Sequence, residues 1–167
     1  AHTMPGSQRP LPQEWLITDA RLGDVVSIVR RLPRETGVLV RQHELPPAER
    51  RKLLRRLRWL ARGRNLVIVD EADGRSARVH DARELRQALL RRSEIIFVSP
   101  VYLTRTHPGW SALPRMKAAA LRQLSSKPVL ALGGMDARRY RRVAPLGLAG
   151  WGGIDGWMEG RRRPSRQ

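Results

Sequence analysis

Pro128-Val129-Leu130-Ala131-Leu132-Gly133-Gly134, followed at once by Met135-Asp136-Ala137-Arg138-Arg139-Tyr140, reads as a buried strand, a tight turn and the start of a helix. Paired glycines at such a turn let backbone N–H groups approach a ligand that a Cβ would hold away. The helix N-terminus that follows supplies donors suited to an anion, often a phosphate. The same residues also suit an ordinary strand-to-helix turn, so the rest of the chain has to decide between a cradle and a plain turn.

Working outward, the same strand-then-helix grammar recurs. Trp15-Leu16-Ile17-Thr18-Asp19 is a short apolar run ending in polar residues, followed by helical spacing over 25–32 that stops before Pro33. Gly37-Val38-Leu39-Val40-Arg41 is a second strand, and Pro46-Pro47 opens a long helix over 48–62. Leu66-Val67-Ile68-Val69-Asp70 is a third strand ending in an acid. Arg78-Val79-His80-Asp81 is too short to assign by pattern, and Asp81 is placed to cap a helix over 82–92, with Glu84 completing a capping box. Glu94 to Pro100 is the clearest strand and feeds a polar loop over 101–114. A helix over 116–124 precedes the Pro128 stretch, and a helix over 137–143 and a short strand near 148–154 follow it. Alternating strands and helices predict a parallel α/β sheet, either a (β/α) barrel or a doubly wound sheet. In a barrel, chemistry gathers at the C-terminal ends of the strands, which here carry Asp19, Arg41, Asp70, Pro100 with its loop, and Gly133-Gly134.

Composition bounds the function. The 167 residues suit one domain, over 13–158, with a poorly ordered lead-in over 1–12 in which Met4 reads as the natural start, and a basic disordered tail over 159–167. Without cysteine there is neither a disulfide framework nor a thiolate metal site. No apolar run approaches the roughly 18 residues of a membrane span, and the expectation is a cytoplasmic protein. A net charge of +18, from 33 Lys+Arg against 15 Asp+Glu, suits an anionic substrate or partner. Most of the arginines fall on helical patterns, where solvated faces account for them. Aromatics make up 5% of the chain and no stacking motif stands out, which argues against sequence-specific RNA recognition.

The landmarks W-L-I-T-D at 15–19, V-L-V-R at 38–41, L-V-I-V-D-E-A-D at 66–73, V-S-P-V-Y-L-T-R-T-H-P-G at 98–109 and P-V-L-A-L-G-G-M at 128–135 stand in a fairly specific order and spacing. Together they resemble the thiamine phosphate synthases and their thiazole tautomerase relatives, over Trp15 to about Trp157. The resemblance implies a (β/α)8 TIM-type barrel, shortened in the middle by a βα unit's length. Arg78–Asp81 therefore either stands for two strands or one strand is missing, leaving seven. It also implies a transferase that joins a pyrimidine diphosphate to a thiazole phosphate, releases pyrophosphate and uses Mg2+.

Residue by residue, the resemblance sets Arg41 against the diphosphate and Asp70 on the metal. Thr104 and Thr106 would hold the thiazole side, and Gly133, Gly134 and Gly153 its phosphate. His43 and His107 stand where the synthases carry lysines, and Asp155 where they carry a serine. Imidazoles titrate near neutral pH, which makes His43 and His107 candidates for proton transfer. The alternatives are a tautomerase-like relative that binds the thiazole phosphate, and a non-catalytic barrel whose basic surface meets RNA or protein. An incomplete barrel also exposes a strand edge, which a homodimer would cover.

Overall fold

The computed structural model describes residues 10–102 and 114–159. Strand β1 (Glu14–Ile17) leads into α1 (Val25–Arg30), β2 (Gly37–Val40) into α2 (Pro47–Arg62), and β3 (Val67–Asp70) into one turn of 3-10 helix (Glu71–Asp73). Then come β4 (Ser76–Val79), α3 (Ala82–Leu90), β5 (Ile95–Val98), α4 (Arg115–Leu124), β6 (Val129–Leu132), α5 (Ala137–Val143), β7 (Gly150–Gly153) and α6 (Asp155–Glu159). The expected elements are present with ends trimmed by a few residues. Asp81 does cap α3, accepting from Glu84 N at 2.8 Å, but Glu84 reaches back to His80 N at 2.6 Å, one residue before the cap.

All pairings are parallel, in the order β3-β2-β1-β7-β6-β5-β4. Pairing of β1 with β7 curls the sheet as in a TIM-type barrel, while β3 and β4 remain as its two edges. The reason is local: Glu71–Arg75 is too short for the crossover helix that a parallel neighbour requires. Seven strands are therefore present, the 78–81 region supplies part of one strand rather than two, and the barrel is open where the missing unit would stand.

Strand alternation sorts the apolar side chains into an interior and an outer layer. Trp15, Ile17, Leu39, Val69, Ile95, Phe97, Leu130 and Leu132 fill the interior, with Trp15 edge-on to Phe97 at 5.9 Å. Leu16, Val38 and Val40 face Val29, Leu54 and Leu57 of α1 and α2. Ile96, Val98, Val129 and Ala131 face Leu85, Leu121 and Val143 of α3, α4 and α5. Trp151 and Trp157 stack at 5.7 Å, so both act as structural plugs.

The interior is filled so closely that backbone must stand in for side chains. A Cβ on Gly37 would lie 2.2 Å from the Trp15 ring, and one on Gly152 2.9 Å from Ile17 Cδ1. Trp15 cannot yield easily, because its Nε1 donates to Pro12 O at 2.8 Å. Gly37→Ala is expected to cost about 1–3 kcal/mol through overpacking, read as a lower urea midpoint at unchanged m-value.

Candidate functional site at the open end of the barrel

The C-terminal ends of β1 and β2 are tied by buried polar groups. Thr18 Oγ1 accepts from Arg41 N at 3.0 Å and donates to Gln42 Oε1, and Gln42 Nε2 donates to Asp19 O at 2.8 Å. This lacing fixes the backbone from which Arg41 projects. Arg41 Nε donates to Glu71 Oε2 at 3.2 Å, and His43 Nε2 lies 2.6 Å from the same oxygen. Two of the residues singled out in the sequence, Arg41 and His43, are thus brought together by a third that was not. Glu71 sits in the D-E-A-D run, and the parallel pairing of Val40 with Asp70 brings it beside Arg41.

Asp70, expected on the metal, has both carboxylate oxygens engaged. Arg50 Nη1 donates to Oδ2 at 2.9 Å, Arg50 Nη2 donates to Oδ1, and Oδ1 also accepts from Ala72 N at 2.9 Å. The Arg50 guanidinium, followed by the Ala72 N–H, holds this carboxyl below the usual range against the opposing effect of burial. Glu71 is taken by Arg41 and His43, and Asp73 accepts from Arg75 N at 2.9 Å. Among the described residues no cluster of three or more His, Asp or Glu side chains could hold a metal ion. With both of its oxygens committed to Arg50 and an N–H group, Asp70 does not fit the expected role of Mg2+ ligand, which needs open carboxylate oxygens.

Ser76 and Arg78 alternate toward the interior side of β4, where sequence reasoning placed no functional group. With Ile17, Leu39, Arg41, Glu71, Phe97 and Leu132 they line a cleft of about 10 Å3. Burial around the Arg78 guanidinium and, after it, the charge of Arg41 lower its pKa, while Glu71 and Glu84 oppose the shift. Arg78 as a whole residue remains exposed to solvent. Two cations facing one mouth repel each other, which is the electrostatic condition that an incoming anion relieves.

Across the rim, Gly133 and Gly134 both have positive φ, 88° and 58°. A Cβ on Gly133 would stand 2.7 Å from Pro100 Cβ, so packing against Pro100 is by itself enough to demand glycine there. Gly153 lies against the same turn, where its Cβ would meet Met135 O at 3.1 Å. Asp136 caps α5, accepting from Arg139 N at 2.7 Å, and Arg139 sits over the Tyr102 ring at 5.1 Å. Asp136→Ala is expected to cost about 1 kcal/mol by loss of that cap, read as a lowered thermal midpoint. The hydrogen bond to Asp19 raises the pKa of Arg21 against the opposing effect of burial, and the charge of Asp155 adds a smaller part, so its field falls partly on that arginine. Thr104, Thr106 and His107 lie outside the described residues.

A curled parallel sheet with arginines, an imidazole and a glycine turn at its C-terminal rim defines a TIM-type barrel protein whose candidate site lies at that rim. A family model described as thiamine monophosphate synthase matches residues 74–156. A thiamine phosphate pyrophosphorylase from Pyrococcus furiosus has a similar fold, with a TM-score of 0.73 at 19% identity over 87% of this chain and 86% of that one. The family match over 74–156 and the shared fold together support a thiamine monophosphate synthase-like family. Weaker likenesses are a FabK mutant from Thermotoga maritima, with a TM-score of 0.43 at 13% identity over 91% of this chain and 45% of that one, and a nitroalkane oxidase from Streptomyces ansochromogenes, with 0.42 at 14% over 80% and 37%. No curated protein sequence matches the chain. No helix among the described residues is long and apolar enough to cross a membrane.

Proposed function

We propose that the protein is a thiamine phosphate synthase-like transferase acting on a pyrimidine diphosphate and a thiazole phosphate. The diphosphate sits at Arg41 and Arg78, and the thiazole phosphate at the Gly133-Gly134 turn beside Gly153. The observation that carries the reading is the convergence of Arg41 and Arg78 on one mouth, close enough for the charge of one to perturb the other.

In the reaction the bond between the pyrimidine methylene carbon and the diphosphate oxygen breaks. Its electron pair leaves with pyrophosphate, and the thiazole nitrogen lone pair forms the new C–N bond. Negative charge grows on the leaving group as the bond lengthens, and guanidinium groups held in place beforehand stabilise it without reorganising. Glu71 keeps Arg41 oriented, and the Thr18–Gln42 lacing holds the backbone from which it projects. The family generally uses Mg2+, but Asp70, the carboxylate expected on the metal, is committed to Arg50, so no step here is assigned to a metal. Thr104 and Thr106 belong to the proposed thiazole side by family resemblance, and His107 is kept as a candidate for proton transfer.

With both substrates present, pyrophosphate release is expected. Arg41→Ala and Arg78→Ala should each lower turnover about 100-fold while leaving the thermal midpoint within a few degrees. An absence of pyrophosphate release from the unaltered chain overturns the reading. A tautomerase-like reaction on the thiazole phosphate alone is the second reading, favoured by the contact between His43 Nε2 and Glu71 at 2.6 Å, which would hold an imidazole ready to move a proton. Isomer analysis after incubation with thiazole phosphate alone separates the two.

A further inference from the structure

Helix α2 carries Arg50, Arg51, Lys52, Arg55, Arg56, Arg58 and Arg62 against a single acid, Glu49 in its first turn. Its apolar positions Leu54, Leu57 and Ala61 are buried against the sheet and α1, so its amphipathic face is already used. What remains outside is ordered. Arg51, Arg55, Arg58 and Arg62 follow the spacing i, i+4, i+7, i+11, a single line about 16 Å long on the outer surface, and all four are exposed. Like charges at these separations disfavour the helix that bears them. Arg51, Arg55 and Arg62 make no ion pair among the described residues. Beside this line stands Trp59, 69% exposed, an aromatic ring left in water within a cationic field. No α-helix lies between β3 and β4 to flank α2 on the side away from α1.

We propose that the outer face of α2 binds single-stranded nucleic acid, with the arginine line on successive phosphates and Trp59 stacked on an unpaired base. Cationic tracks with an interleaved aromatic are the means by which single strands are held without sequence preference. The lack of a sequence-specific stacking motif is consistent with that mode. An anionic membrane fits less well, since interfacial helices bind by burying an apolar face and here only one ring is left to insert. An acidic protein would satisfy the arginines but leave stacking unused.

The test uses the full chain and a fluorescein-labelled 16-nucleotide oligouridylate in anisotropy titrations at several salt concentrations. Binding is expected to weaken steeply with salt. The Arg55→Ala/Arg58→Ala double variant should reduce the log–log salt slope by about 1.4, at roughly 0.7 per lost phosphate contact. Trp59→Ala should weaken binding at least fivefold. The control pair Arg83→Ala/Arg86→Ala, on exposed positions of α3, should change affinity less than twofold. Circular dichroism melts confirm that each variant is folded. The proposal is overturned by no binding, by equal losses in the α3 control, or by a Trp59→Ala affinity unchanged within twofold. Polyglutamate competing as well as the oligonucleotide, or binding confined to phosphatidylserine vesicles, also overturns it.

Discussion

Asp70→Asn is expected to lower the free energy of unfolding by about 3–5 kcal/mol, the usual cost of breaking a buried ion pair from one side. The side chains of Arg50 and Asp70 are 13% and 15% exposed, so solvent does little to replace what the substitution removes. The loss is asymmetric. Arg50 Nε is already buried without a partner, and Asn in place of Asp70 leaves the guanidinium one neutral amide oxygen besides Val40 O at 3.2 Å, with no countercharge and an NH2 group where the second carboxylate oxygen accepted. Urea unfolding measures the effect, and the double variant Arg50→Met/Asp70→Asn should recover most of it, because the stranded charge is then gone. A loss below about 1 kcal/mol in the single variant would mean that the pair is screened like a surface bridge.

The same pair sets an acid limit. The folded-state pKa of Asp70 lies below its ordinary value, so its contribution is fully present above that ordinary value. It fades as pH falls through the ordinary value toward the lowered folded one. Unaltered protein should therefore lose stability faster than Asp70→Asn as pH drops below about 4. Parallel pH–stability curves for the two proteins would contradict this.

Trp15→Ala is expected to cost about 3–5 kcal/mol, the range for deleting a buried aromatic. The ring is fully buried and packs edge-on to Phe97, and the Gly37 backbone lies against its face. Neighbours cannot collapse into the space, since Gly37 has no side chain to move and Phe97 is fixed by the strands on either side. Loss of the Nε1 bond to Pro12 O also releases the segment before β1. Trp15→Phe keeps most of the volume and should cost less than half as much. Equal losses in the two variants would place the effect in the Pro12 bond rather than in the cavity.

Much of the fold was legible because its signals are local. Apolar runs four or five residues long bounded by Gly, Pro or a charge became strands, and 3.6-residue spacing became helices. The shortened middle showed only against the family resemblance, as a βα unit's length missing between Asp70 and Ile95. The candidate site was legible only in its list of strand-end residues. Nothing in the chain near Asp70 announced Arg50, and Glu71 gained its role because β2 and β3 pair in a register that brings it beside Arg41 and His43. Arg78 was read as part of an ambiguous run, since its direction depends on which face of β4 meets the barrel interior.

By itself, then, the sequence determined the alternation of strands and helices, the parallel sheet, the family resemblance and the glycine turn at 133–134. Those properties follow from periodicity and backbone freedom, which act over a few neighbouring residues. Only the tertiary structure decided that the barrel opens between β3 and β4 and that Asp70 is held by Arg50. It alone turned Arg78 toward Arg41 and left Trp59 in water beside a line of arginines. Each of these depends on which groups from distant parts of the chain share one small volume, where charge, desolvation and packing are settled between neighbours in space rather than in sequence.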